Sequence, residues 1–202
     1  MNTPRPKAKL SRALGIALTP KCQKYLEARP YPPGQHGRSR KQQSDYKRRL
    51  LEKQRLRAQY DVSEAQLRRA FQDATRRPGK TGELLVADLE SRLDAVVLRA
   101  GFARTIYQAR QAVVHRHVVV NGRRVDRPSY RVRPGDVVAV APRSRTKSPF
   151  LEAAAGAHRA AEDRAYLAVE LADLRAQLLR LPERREVPVV CEEQLVVEFY
   201  SR

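Results

Sequence analysis

Only two cysteines, Cys22 and Cys191, stand among the 202 residues. A disulfide framework for a chain of this size is thereby excluded, and with no apolar stretch at the N-terminus the expected setting is the reducing cytoplasm. No apolar run approaches the roughly 18 residues that mark a membrane span, so no membrane partner is expected. Acidic residues are scarce, 22 Asp and Glu against 41 Lys and Arg, and the net charge is +19. Such an imbalance asks for a polyanion. The basic residues are spread over helices, loops and turns rather than along one amphipathic helix, so nucleic acid fits better than a membrane surface. Paired carboxylates, Ser/His/Asp sets and metal-ligand clusters are missing too, and neither an enzyme, a cofactor nor a small-molecule substrate is expected. Gly79-Lys80-Thr81 matches the end of a phosphate loop, but that loop needs a glycine where Ala74 stands and a preceding strand where the pattern reads as helix.

What is present suffices for a folded chain of one or two domains: 42% of the residues are hydrophobic. The charge is uneven, +13 over residues 1–60, +8 over 61–146 and −2 over 147–202. Residues 1–43 hold Pro4, Pro6, Pro20, Pro30, Pro32 and Pro33 among many Lys and Arg, a composition that reads as an extended, loop-rich arm. A basic helix with a thin apolar stripe (Tyr46, Leu50, Leu51, Leu56) is expected over 44–60. Ser63 with Gln66 forms a capping box for a helix that stops at Pro78-Gly79. Leu85, Leu89, Leu93, Val96 and Ala100 make one stripe of a single helix over 82–100, with Gly101 as its cap. Thr105 with Gln108 opens a short helix, Asn121-Gly122 joins the strands 118–120 and 123–125, and Pro134-Gly135-Asp136 leads into a strand over 137–141. Leu167, Leu171, Leu174 and Leu178 suggest a helix over 152–181, and the tail QLVVEFYSR reads as a strand.

The informative unit is 92–140. Arg104, Arg110, His115, Arg116, His117, Arg123, Arg124, Arg131 and Arg133 fall within it, and so many cations in one neighbourhood repel one another unless an anion compensates them. Duplex RNA presents closely spaced phosphates and 2′-hydroxyls, which Arg forks and neutral donors match. Gln108, Gln111, Asn121 and Ser129 supply such donors. Tyr107 and Tyr130 either stack on an unpaired base or cap the small core. In the arm, Arg29, Tyr31, Gln35, His36 and Arg38, and on the first helix Lys47, Arg48, Arg49, Lys53 and Arg55, are expected to grip RNA backbone. Any single arginine taken alone reads as a solvated surface charge, whereas the cluster needs a counter-charge.

RPYPPGQHG (29–37), SDYKRRLLEKQRLRAQY (44–60), LESRLDAVVLRAGFARTIYQARQAVVHRHVVVNGRRVDRPSYRVRPGDVVAV (89–140) and EEQLVVEFYSR (192–202) occur in the order of the bacterial small-subunit ribosomal protein four family, which the chain resembles over most of its length. Segment 92–140 also resembles the αL-type RNA-binding domain that some pseudouridine synthases and tyrosyl-tRNA synthetases carry. The resemblance implies an α+β fold: an extended basic arm (1–43), a mostly helical domain (44–90) completed by 146–202 with a C-terminal helix and tail strand, and an inserted αL-type domain (91–145) of two short helices and a small β-sheet. It further implies binding to the 5′ domain of small-subunit ribosomal RNA early in assembly, contact with small-subunit ribosomal protein five beside the messenger RNA entry channel, and a part in decoding accuracy. Many relatives bind zinc through four N-terminal cysteines, whereas this arm has Cys22 alone with His36 nearby, so a zinc-free form is expected. Arg116 stands where the family usually has Gly, and Ile106 and Tyr107 where it usually has basic residues. Segment 146–181 is unusually Ala-rich and lacks the Trp often found there. The rival readings are an RNA-modifying enzyme, for which only some 60 weakly patterned residues would remain after Val140 to build a catalytic domain, and a free-standing RNA-binding or stress protein, against which the arm and tail speak.

Overall fold

A computed structural model describes residues 6–39, 43–158 and 164–201. The remainder of the expected arm (1–5, 40–42) and part of the Ala-rich segment (159–163) lie outside the described residues. The chain divides into two compact units, residues 1–82 with 189–202, and residues 83–188.

In the first unit the arm holds two helices where an extended chain is expected: α1, Lys7–Leu14, and α2, Pro20–Ala28. The prolines sit where a missing N–H costs nothing. Pro6 precedes α1, Pro20 opens α2, and Gly15 closes α1 at φ +68°. Between them KAKLSRAL is made of strong helix formers. Among the described residues of the arm, non-helical chain lies at 15–19 and 29–39, where a Cβ on Gly37 would lie 1.9 Å from the Pro32 carbonyl oxygen. Only glycine fits there.

Helix α3 (Asp45–Gln59) starts at Ser44, whose hydroxyl accepts from the Lys47 amide. Its stripe is narrower than the leucine pattern suggests: Leu56 is fully buried, while Tyr46 is exposed. Helix α4 (Glu64–Thr75) opens with the complete capping box of Ser63 and Gln66. The tail is a helix, α9 (Glu193–Tyr200), and not a strand. Its β-branched pair favours a strand by propensity, but Val196, Phe199 and Tyr200 share one helical face. Val196 is fully buried, Tyr200 stacks on Phe71 at 5.0 Å, and Phe199 lies 5.9 Å from Tyr46. Packing against α3 and α4 decides the conformation.

The expected helix over 82–100 is two helices, α5 (Thr81–Glu90) and α6 (Leu93–Arg99), with Arg92 extended between them. Residues 128–132 supply the backbone partners. The Leu93 amide donates to the Tyr130 carbonyl (2.8 Å), Asp94 to Pro128 (3.2 Å) and Val132 to Ser91 (2.8 Å). These bonds replace helical ones, so the break leaves few groups unpaired. Arg92 and Asp94 form a buried two-pronged ion pair (3.0 and 2.7 Å), and burial holds the Asp94 carboxyl above its ordinary range despite Arg92.

The second unit is built on an antiparallel sheet ordered β2-β1-β3-β5-β4: β1 Val118–Val120, β2 Arg123–Arg124, β3 Val137–Val140, β4 Leu167–Glu170 and β5 Arg175–Leu178. Strands β4 and β5 stand where a helix over 152–181 is expected. That segment therefore belongs with the sheet instead of completing the helical unit, and only α8 (Ser148–Ala154) is helical there. The leucine spacing fits a helix, but Leu174 turns at φ +49° and Ala176 and Leu178 point inward between exposed Arg175 and half-buried Gln177. Pairing with the open side of β3 (Val138 opposite Ala176) overrides propensity. One core joins the inner face of the sheet (Val118, Val120, Val138, Val140, Ala176, Leu178) to α6, α8 and the helix α7 (Ile106–Val114). Buried Glu90 receives Arg99 on both carboxylate oxygens and the Tyr166 hydroxyl at 3.4 Å.

Candidate nucleic-acid interface

Helix α7 begins at Thr105, whose hydroxyl accepts from the Gln108 amide, while the Gln108 side chain accepts from Arg104 N rather than closing a full capping box. It buries Ile106, Ala109, Ala112 and Val113 and leaves Gln111 and His115 exposed. At its end Arg116 adopts φ +59°. That is the conformation glycine adopts freely, so the backbone here suits the glycine that the family resemblance implies at this position. Arg116 is steadied by Asp126, 3.0 Å from Nη2.

The hairpin follows. Asn121 and Gly122 take φ +50° and +77°, the twist a two-residue turn needs. Asn121 has a structural role beyond the turn: its Nδ2 donates to Asp136 (2.8 Å) and its Oδ1 accepts from the Val137 amide (2.9 Å). Its side chain is spent on locking the Pro-Gly-Asp turn to the hairpin. Arg123, Arg124 and Arg133 are exposed, and their side chains make no ion pair among the described residues. Arg127, which sequence reasoning passed over, is exposed on the same loop; it continues the Arg123-Arg124 run and was legible there. Ser129 and Tyr130 are exposed beside it. Arg131 reaches back to the Asp88 carbonyl, the Asp88 carboxylate (3.6 Å) and Ser91, pinning the loop to the break between α5 and α6. Arg110 is half-buried and acts electrostatically on Asp94.

Beside α7 lies an open cavity of about 220 Å³. Its floor is apolar: Phe102, Ala112 and Phe150. Gln108, Gln111, His115, His117 and Lys147 line the sides. The His117 ring meets Phe150 edge-on at 5.7 Å, lies 6.0 Å from His115, and shares a 2.9 Å hydrogen bond with the Ser144 hydroxyl through Nδ1. Burial, then the nearby Lys147 and His115, hold His117 below its ordinary pKa. Lys147 escaped sequence reasoning because it lies past the recognisable unit.

In the first unit the expected RNA contacts separate into two groups. Arg12 and Arg38 each place a guanidinium 5.0 Å from the Tyr31 ring centroid. The hydrogen bond from Arg38 to the Tyr31 hydroxyl pulls that phenol below its usual pKa. Arg29, Gln35, His36, Arg38, Lys47 and Arg48 are exposed. Arg49, Lys53 and Arg55 are instead held by the protein itself. Arg49 pairs with Glu198 (2.7 Å), Lys53 pairs with Glu64 (3.0 Å) over the Phe199 ring, and Arg55 binds Glu52 and the Leu14 carbonyl. Arg49 and Lys53, four residues apart, face α9 and α4, whereas Arg55 lies on another side of α3 and turns to α1, so all three side chains are engaged within the protein. Among the described residues no group of three or more His, Cys, Asp or Glu could hold a metal, and buried Cys22 accepts from the Thr19 hydroxyl.

Comparison with known proteins matches residues 2–90 to the model of the ribosomal protein S4/S9 N-terminal domain and residues 91–138 to that of the S4 domain. Over 202 residues, 100% of this chain and 99% of theirs, it is 64% identical to the small ribosomal subunit protein uS4 of Streptomyces griseus and of Streptomyces coelicolor. The uS4 of an Arthrobacter species is 65% identical over 201 residues, 98% of this chain and 97% of its own. The loop that breaks the long helix, the hairpin and the unpaired arginines all fall inside or at the edge of the S4 domain match, and the chain belongs to the family of small ribosomal subunit protein uS4.

Proposed function

We propose that this protein is a structural, non-catalytic RNA-binding component of the cytoplasmic small ribosomal subunit. The observation that carries this is the set of exposed Arg123, Arg124, Arg127 and Arg133 around the hairpin, cations whose side chains form no ion pair among the described residues. Phosphates supply the counter-charge. The exposed Arg29, His36, Arg38, Lys47 and Arg48 of the first unit add backbone contacts of the same kind. Phosphate contacts position and the shape of the folded RNA selects. The ribosomal RNA assignment rests on the names of the uS4 relatives and on the S4 domain match.

Within that assignment the finer reading is binding to the 5′ domain of small-subunit ribosomal RNA, nucleation of assembly, and support of decoding accuracy through contact with small-subunit ribosomal protein five near the messenger RNA entry channel. It is supported by the family resemblance alone. Zinc plays no part in it.

A salt titration of binding to small-subunit ribosomal RNA tests the core of the proposal. With six to ten phosphates neutralised, affinity falls by about 10³ to 10⁵ between 50 and 200 mM salt, by the scaling established for duplex DNA. A flat salt response refutes phosphate-dominated binding. Sedimentation of the chain with the small subunit in a sucrose gradient tests the assembly, and travel with free protein would overturn it.

A further inference from the structure

We infer that the cavity beside α7 receives one unstacked base of the bound RNA, an inference that rests on the RNA-binding reading and deepens it. At about 220 Å³ the cavity is smaller than the roughly 300–1,000 Å³ of drug-sized ligand sites, so it suits a single compact ring system. Its chemistry is layered as a base requires. Phe102, Ala112 and Phe150 give an apolar floor, with Phe102 fully buried and Phe150 nearly so. The His117 ring, fixed by Ser144 and by its edge-on contact with Phe150, offers a rigid aromatic wall. Because burial and neighbouring cations favour its neutral form, that wall stacks without carrying charge into the cavity.

The rim supplies what the edge of a base and its phosphate need. Gln111 is exposed and its amide carries both donor and acceptor, and Gln108 keeps its NH₂ available while its oxygen is held by the Arg104 amide. Lys147, exposed at the mouth, provides the charge for the attached phosphate. A base offers a π-face to the wall and hydrogen-bonding groups to the glutamines, and sequence-specific RNA recognition depends on such unstacked bases. A free apolar ligand would leave the glutamines and Lys147 unused, whereas a chain of charge +19 brings the polyanion to the cavity mouth.

The test uses the full chain and two measurements. In the first, ring resonances of His115 and His117 are followed by NMR while adenosine or uridine 5′-monophosphate is added, with ribose 5-phosphate and inorganic phosphate as controls. Saturable shifts with at least one nucleotide and none with ribose 5-phosphate are expected; equal responses to both, or no response to either nucleotide at millimolar concentration, would overturn the assignment. In the second, Ala112→Leu fills the cavity and Gln111→Ala strips its rim without touching the core. Each should weaken binding to small-subunit ribosomal RNA, Ala112→Leu by about tenfold, while the slope of affinity against salt falls by no more than about one, because only the Lys147 phosphate contact depends on the base. Wild-type affinity in both variants sinks the base pocket and leaves the RNA-binding reading intact. Failure of the wild-type chain to bind the RNA sinks that reading instead, and the nucleotide titration still judges the pocket.

Discussion

In the first unit Arg49, Lys53 and Arg55 reach inward to carboxylates and a carbonyl, whereas in the second Arg123, Arg124, Arg127 and Arg133 face solvent with nothing among the described residues to meet them. Residue type does not separate the two sets. Placement does: α3 is covered by α9, whose Glu198 and aromatic rings turn its cations into packing elements, while the β1-β2 hairpin stands at the edge of its sheet. Exposure and the absence of a buried internal partner thus separate the stronger candidate contacts from the weaker ones. Asn121 and Arg131 teach the same lesson for the hairpin region, where two candidate contacts hold the scaffold that displays the others.

The contrast can be broken by substitution. The largest effect is expected at the buried Arg92–Asp94 pair. Asp94→Ala leaves a buried guanidinium unpaired and should cost about 3–5 kcal/mol in urea unfolding. Next, Lys53→Met keeps the stem but removes the ammonium from Glu64 and Phe199, and should cost about 1–2 kcal/mol with the RNA salt slope unchanged. Arg123→Ala with Arg124→Ala should do the reverse, altering stability by less than about 0.5 kcal/mol and lowering the salt slope by about two. A stable Lys53→Met chain with a reduced slope would erase the distinction between the units. The smallest effect concerns pH. Burial raises the pKa of Glu64, but hydrogen bonds from Tyr200 and Lys53 outweigh it and hold the carboxyl below its ordinary range. The stability this supplies is present above the unfolded carboxylate range and is lost as pH falls through the folded pKa. The acid-induced drop in melting temperature should therefore be shallower in Glu64→Gln.

Much of the second unit was legible because its signals are local. The Asn-Gly turn, the Thr105 cap and the Gly101 cap depend on residues a few positions apart, and each appears where expected, Gly101 at φ +76°. What escaped the sequence was decided at long range. The stripe from Leu85 to Ala100 is continuous, yet residues 128–132 take over its backbone bonds at Ser91, Leu93 and Asp94. The leucines of 167–178 satisfy helical spacing, yet β3 needs a partner. The prolines of the arm suggest extended chain, yet Pro6 and Pro20 stand at the starts of two short helices. Site residues divide along the same line: exposed Arg123 and Arg124 stand where expected, whereas Arg49 and Lys53 meet Glu198 and Phe199 of α9, a segment whose pattern suggests a strand, and Arg55 meets Glu52 and the Leu14 carbonyl.

The pairing of α3 with α9 also sets an order in time. Residues 83–188 are contiguous and hold every strand of their sheet, so they can fold as soon as they are made. The first unit cannot close then: the rings that cover Lys53 and stack on Phe71 belong to residues 199 and 200. At roughly 5–20 residues per second, α3 waits for seconds for Glu198, the partner of Arg49, and for the Phe199 ring over Lys53, whereas Glu52 and Glu64, which pair with Arg55 and Lys53, are made at once.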